Sequence, residues 1–170
     1  MVGGSPRVLI LGTMPSPASL AAGFYYAHPR NAFWPIMAAL FGFAADAPYP
    51  ERAKALIRAG VAVWDVCRSC VRPGSSDGAI RDVEPNDFGW LFARFPSIRC
   101  LFFNGAAAEK LFFKLVLKDH PEYAEKRTLL RLPSTSPANA MLSVAEKTRA
   151  WQVVRIAAMG GELAGSTASV

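Results

Sequence analysis

The sequence predicts a three-layer α/β/α sandwich around a four-stranded, mainly parallel sheet. Four short apolar runs, Val8 to Leu11, Val61 to Val66, Ile98 to Phe103 and Thr128 to Leu132, have the length and the β-branched or aromatic content of strands. Segments with helical spacing separate them, and strands alternating with helices build a parallel sheet covered on both faces. At 170 residues and 52% hydrophobic content, the chain can bury such a core unaided.

The first run delivers Gly12 to Arg30, a stretch rich in Gly, Pro and aromatic residues that reads as a loop. Asn31 can cap a helix over Phe33 to Phe41, where Phe33, Ile36, Met37, Leu40 and Phe41 recur at helical spacing and Pro35 falls in the tolerated first turn. Glu51 to Ala59 is a second helix, closed by Gly60. The second run leads into Cys67 to Asp87, about 20 residues with little periodicity, and loops that long in a compact domain are usually functional. Phe88 to Phe95 reads as a short helix before Pro96. Asn104 and Gly105 introduce Ala106 to Leu117, and Pro121 begins a helical turn or two through Lys126. The last helix is expected over Ala145 to Met159, with Trp151, Val154 and Ala158 on one face. A single domain is expected over residues 1–159, followed by a small, polar-leaning disordered tail at 160–170.

A net charge of +6 points to a polyanionic partner, because basic side chains release counterions when they neutralise phosphates. No stretch of about 18 apolar residues is free of charges or breakers, so no membrane span is expected. The amino terminus lacks a basic region followed by a cleavage site, which makes the cytoplasm the expected location. Three cysteines, Cys67, Cys70 and Cys100, fall short of a four-thiolate site, and neither metal nor cofactor is expected.

Three loops that follow strands, Gly12 to Arg30, Asn104 to Gly105 and Pro133 to Asn139, should meet at one edge of the sheet, where α/β proteins grip ligands. Asn31 can be a plain helix cap, or its amide can offer an acceptor and two donors to a water or a base edge. Phe24, Tyr25 and Tyr26 are consecutive aromatics in a Gly/Pro-flanked loop, so they pack on the sheet or present a face to a planar ligand. His28, before a proline, reads as a turn residue bonding its own loop. Asn104 can cap a turn or read an adenine-like edge. Ser134 to Pro137, in LPSTSPAN, form a rigid turn with exposed amides suited to a phosphate. Asp65, at the end of the second run, and Asp77 are the nearest alternative carboxylates for a general base, but Asp65 reads rather as a buried structural acceptor or loop cap, and Asp77 as a turn residue. Arg30, Arg68, Arg72 and Arg81 are candidate phosphate contacts.

Together GTMPS, GFYYAHPRNAFW, FNG and LPSTSPAN resemble the uracil-DNA glycosylase superfamily, and the chain is similar within it to the hypoxanthine-DNA (deoxyinosine) glycosylases. The similarity runs from about Arg7 to Ile156. Met14 stands where the mismatch-specific uracil branch carries a catalytic asparagine. The resemblance implies that Asn31 is catalytic in its place and that Tyr26 stacks on the flipped base. It implies that Gly12, Thr13, Met14 and Asn104 line the base site, and that Ser134, Thr135, Ser136 and Pro137 pinch the DNA backbone. The implied substrate is DNA with a deaminated base, hypoxanthine or uracil, while a non-catalytic binding domain is the alternative from another class. No lysine lies in the motif loops, so the abasic site should be left uncut.

Overall fold

The structure is a computed structural model and describes residues 1–71 and 81–163. Asp77, Arg72, the middle of the segment 67–87 and positions 164–170 lie outside the described residues. The four expected runs form strands β1 (Val8–Gly12), β2 (Val61–Asp65), β5 (Cys100–Asn104) and β6 (Thr128–Leu132). They build one sheet in the order β2-β1-β5-β6, every pair parallel. Successive strand residues face opposite layers. Val8 and Ile10 join Phe33, Met37, Leu56, Trp151 and Val154 on one side, while Leu9 and Leu11 join Phe88, Leu91, Phe112 and Val116 on the other. Burial on both faces is why these strands read as continuous apolar runs rather than as alternating ones.

The helices follow the expected order with shifted bounds. They are α2 (Phe33–Phe41), α3 (Tyr49–Arg58), α4 (Phe88–Arg94), α5 (Ala106–Phe112) running into a π-helical turn over Phe113–Leu117, and α6 (Glu122–Glu125).

Three departures bear on the site. The stretch read as a loop after β1 contains a helix, α1 (Pro17–Ala22), capped by the Ser16 side chain and closed by Gly23. The long segment after β2 is not a featureless loop: β3 (Cys67–Val71) and β4 (Arg81–Pro85) pair antiparallel as a separate two-stranded sheet. The final helix is two helices, α7 (Val144–Ala150) and α8 (Gln152–Ala158), divided at Trp151. Trp151 is fully buried and its Nε1 donates to Pro133 O at 3.0 Å, so the break lets one side chain tie the last helices to the loop after β6. A capping box at Ser143 and Glu146 starts α7, satisfying two helix-end groups at once.

Candidate active site

All four parallel strands end at the same edge, and the segments leaving them enclose a cavity of about 110 Å³. Gly12, Thr13, Met14, Pro15 and Ser16 come from the β1 end, Asp65 from β2 and Asn104 from β5. Ser134, Thr135 and Ser136 come from the loop after β6, and Tyr25, Tyr26 and Asn31 from the approach to α2. Pockets for drug-sized ligands run to about 300–1,000 Å³. This one suits a single small planar group.

Every residue that the resemblance places at the base or on the DNA backbone lines this cavity except Pro137, which is exposed, while Arg30 and Arg68, candidate phosphate contacts, are exposed and outside the lining. Asn31 is held by the helix it precedes: its Oδ1 accepts from Phe33 N at 3.0 Å, although the N-cap position itself is Ala32. One Oδ1 lone pair and two Nδ2 hydrogens remain to it. Ala32 N donates to Thr135 O at 3.0 Å, which fastens the Asn31 segment to the loop after β6.

Tyr26 stacks on buried Phe33 with ring centroids 4.0 Å apart and an interplanar angle of 23°. Its backbone sits at φ 56°, a left-handed conformation that is rare for a bulky residue and concentrates at functional sites. Phe24 stacks instead on Tyr49, at 4.7 Å, so the three consecutive aromatics are divided between the pocket and the outer layer. His28 bonds its own loop, accepting from Arg30 N through Nδ1 at 3.2 Å.

Asn104 makes a two-way clamp with Thr135. Its Nδ2 donates to Thr135 Oγ1 and its Oδ1 accepts from Thr135 N, both at 2.8 Å. One donor and one lone pair of the amide are left for the cavity. The β5 end can approach this loop because Gly105, at φ 96°, has no Cβ, which would otherwise lie 2.8 Å from Ser134 Cβ. From beneath, Lys147 Nζ donates to Asn139 O at 2.6 Å, and burial pushes this ammonium below its ordinary pKa.

One pocket residue, Asp65, reads in the sequence first as a structural acceptor or loop cap and only second as an alternative base. Asp65 is 6% exposed, and it is the single carboxylate among the described lining residues, with no Lys, Arg or His beside it there. The signal was register: Asp65 pairs with Gly12 across the β1–β2 ladder, so its carboxylate arrives at the same edge as the first motif. A Cβ on Gly12 would lie 2.5 Å from Asp65 Oδ1 and 3.2 Å from Tyr26 Oη. Glycine is therefore what lets the two polar groups close over the β1 end. Burial, and secondly the Asp65 charge, push the Tyr25 phenol far above its ordinary pKa. Met14, where an asparagine would stand, accepts from Cys70 Sγ of β3 at 2.8 Å. The cysteines are free thiols, and no described helix is long and apolar enough to cross a membrane.

The sequence matches the Uracil DNA glycosylase superfamily over residues 2–155. It is 33% identical over 157 residues to the hypoxanthine DNA glycosylase of Methanosarcina acetivorans, covering 87% of this chain and 89% of that protein. It is 35% identical over 100 residues to the hypoxanthine DNA glycosylase of Methanosarcina barkeri, covering 58% of this chain and 63% of that one. The solution NMR structure of a candidate uracil DNA glycosylase from Methanosarcina acetivorans superimposes with a TM-score of 0.77 at 30% identity, over 93% of this chain and 94% of that chain. With a family match across nearly its whole length and a fold that superimposes on this neighbour, the chain belongs to the uracil DNA glycosylase superfamily.

Proposed function

We propose that the chain is a monofunctional DNA glycosylase that hydrolyses the N-glycosidic bond of a deaminated base, hypoxanthine foremost, flipped out of DNA in the cytoplasm. The observation that carries this reading is the meeting of Tyr26, Asn31 and Ser134–Ser136 around a cavity of about 110 Å³. The substrate assignment takes its support from the two Methanosarcina relatives named hypoxanthine DNA glycosylase.

A base inside a duplex cannot be reached, so the nucleotide is extruded at a cost of a few kcal/mol. Stacking on Tyr26, whose other face is backed by Phe33, offsets that cost by roughly 1–3 kcal/mol. Bond breaking leaves an oxocarbenium-like sugar and puts negative charge on the departing base. Asn31 is fixed by its bond to Phe33 N, so its Nδ2 hydrogens can meet that charge and its remaining lone pair can orient water without reorganisation. The Asn104–Thr135 clamp holds the backbone amides of the 134–136 loop for phosphate contact. Among the described residues no lysine lines the cavity, so no Schiff base is expected and the abasic strand should stay intact.

The test is base release from a deoxyinosine duplex, read by alkaline cleavage of the abasic product. The wild type should release hypoxanthine and leave the strand uncut before alkali, and Asn31→Ala should be slowed by about 100-fold or more. No release by the wild type, or an unchanged rate for Asn31→Ala, refutes the reading. The superfamily's description favours uracil as the second substrate, and a parallel deoxyuridine duplex decides the order of preference. Tight binding of inosine or abasic DNA with no release even at enzyme excess would instead identify a binding domain.

A further inference from the structure

Four parallel strands that end at one edge also begin at one edge, and the mechanism above leaves the starting edge unused. Arg7, Arg99 and Arg127 each stand one residue ahead of a strand, β1, β5 and β6 in turn, and these three strands are neighbours in the sheet. Their backbones are already in register there: Arg99 N donates to Arg7 O at 2.8 Å, and Thr128 N to Arg99 O at 2.9 Å. Adjacent strands lie about 4.8 Å apart, so the arginines form a row of roughly 10 Å. Arg58 and Arg94, the last residues of α3 and α4, lead toward the same edge ahead of β2 and β5.

The row is held in place but not neutralised. Arg7 Nη1 donates to Ala158 O at 3.0 Å, on the α8 side of the sheet. Arg127 lies over the Phe92 ring at 3.8 Å, on the other side. Its Nε is buried without a partner, while its terminal nitrogens reach solvent. Its pKa is lowered, first by burial, with the Arg99 charge adding to the fall and Tyr123 opposing it. Arg7, Arg58, Arg94 and Arg99 are exposed. Among the described residues, ion pairs join His120 to Glu122 and Arg131 to Glu109, and none reaches this row.

Like charges held side by side without a counter-charge raise the local potential and draw a polyanion. The planar fork of arginine suits phosphate oxygens, and a fork already pinned on an aromatic ring has less freedom to lose on binding. Each strand of a duplex presents a phosphate about every 3.4 Å of axis rise, so roughly three fall along the row. An extended acidic peptide shows one face a side chain only about every 6.6 Å, which brings about two carboxylates to the same length.

We propose that this edge is a second, sequence-independent site for duplex DNA, so that a single chain holds two duplex segments at once, one at the cavity and one at the arginine row. The proposal rests on the DNA-binding part of the reading above and not on its chemistry. The strands between the two sites are five residues long, about 17 Å, which keeps the segments on opposite ends of the sheet. A chain that grips a second segment while releasing the first passes between stretches of DNA without entering free solution, which shortens the search for a rare lesion among many normal pairs.

The test mixes the full-length chain with an abasic duplex and a longer undamaged duplex and follows the masses formed by analytical ultracentrifugation. At low salt the wild type should form a complex of one chain with both duplexes. Its affinity for the second duplex should fall by roughly 40-fold between about 50 and 200 mM salt, as about three phosphate contacts require. Arg99→Glu, at the exposed middle of the row, should weaken the second association at least about tenfold, while single-turnover release from a deoxyinosine duplex at saturating enzyme stays within about twofold. Arg58→Gln combined with Arg99→Gln serves if the charge reversal does not fold.

The inference is overturned if the wild type binds one duplex only, if both duplexes are held only by paired chains, or if the variant keeps the second association at full strength. A poly-glutamate peptide that binds the row more tightly than the undamaged duplex also overturns it and identifies a docking surface for an acidic protein. A wild type that assembles both duplexes but releases no base overturns the glycosylase chemistry and leaves the second site standing.

Discussion

At the scale of single residues, Gly12 and Tyr25 show how closely the pocket ties stability to function. The Cβ of Gly12→Ala would sit 2.5 Å from Asp65 Oδ1, and that carboxylate is on a short side chain at a strand end, with little freedom to retreat. The variant is expected to lose about 1–3 kcal/mol of stability, as overpacked sites do, and at least tenfold in kcat/KM on deoxyinosine. Chemical unfolding and kinetics on the same preparation check both. Tyr25 sets an alkaline limit. Its phenol pKa is raised from 10.0, first by burial and then by the Asp65 charge, so above pH 10 the native state keeps a proton that the unfolded chain has lost. More protons on the native state means that stability falls as pH rises. Tyr49 and Tyr123 are shifted the same way and add to the slope. Melting temperature should therefore drop between about pH 9 and pH 11, and Tyr25→Phe should drop less steeply. Equal slopes would show that Tyr25 does not control this limit.

At the scale of elements, α7 works as the anchor of the loop after β6, through Lys147 on Asn139 O and Trp151 on Pro133 O. Lys147 is a buried cation whose pKa is lowered by desolvation, so its charge is costly to keep. Lys147→Met removes that cost but leaves a carbonyl unbonded, two effects of similar size and opposite sign. Unfolding free energy should change by no more than about 1 kcal/mol, while KM for duplex DNA rises several-fold because the loop is no longer held. A matching fall in kcat with constant KM would place Lys147 elsewhere in the mechanism. The elements that sequence revealed were those whose physics is local. VLIL, VAVW and LFF are buried on both faces and read as strands wherever they stand, and Asn31, Tyr26 and the 134–137 turn stood out by residue type beside Gly and Pro. The hairpin did not, because CRSCV and RDVEP pair with each other at a largely exposed margin and carry no sustained apolar period. The six-residue α1 was hidden by prolines and glycine that in fact begin and end it. The division at Trp151 has no Gly or Pro to mark it. Asp65 needed the register of two strands separated by some fifty residues, and no local pattern holds that information.

At the scale of the molecule, four parallel strands send all their exits to one face, and that face is what a duplex would meet. A net charge of +6 supplies long-range attraction to it. Extrusion of a base also leaves a gap in the stack, and an apolar side chain that fills the gap lowers the cost of opening. Such a residue must be exposed, must stand beside the pocket, and must sit on a held loop. Met141 is the candidate: it is 92% exposed and lies two residues beyond Asn139, where Lys147 ties down the loop whose Ser134, Thr135 and Ser136 line the cavity. Leu142 and Val144 continue the exposed apolar surface. Filling a gap matters only where a partner strand has been left behind. Met141→Ala should therefore lower single-turnover excision from duplex deoxyinosine by about tenfold, within the few kcal/mol that unstacking involves, and leave excision from single-stranded DNA nearly unchanged. Equal losses on both substrates would mean that Met141 touches the nucleotide itself, and no loss on either would mean that another part of this face fills the gap.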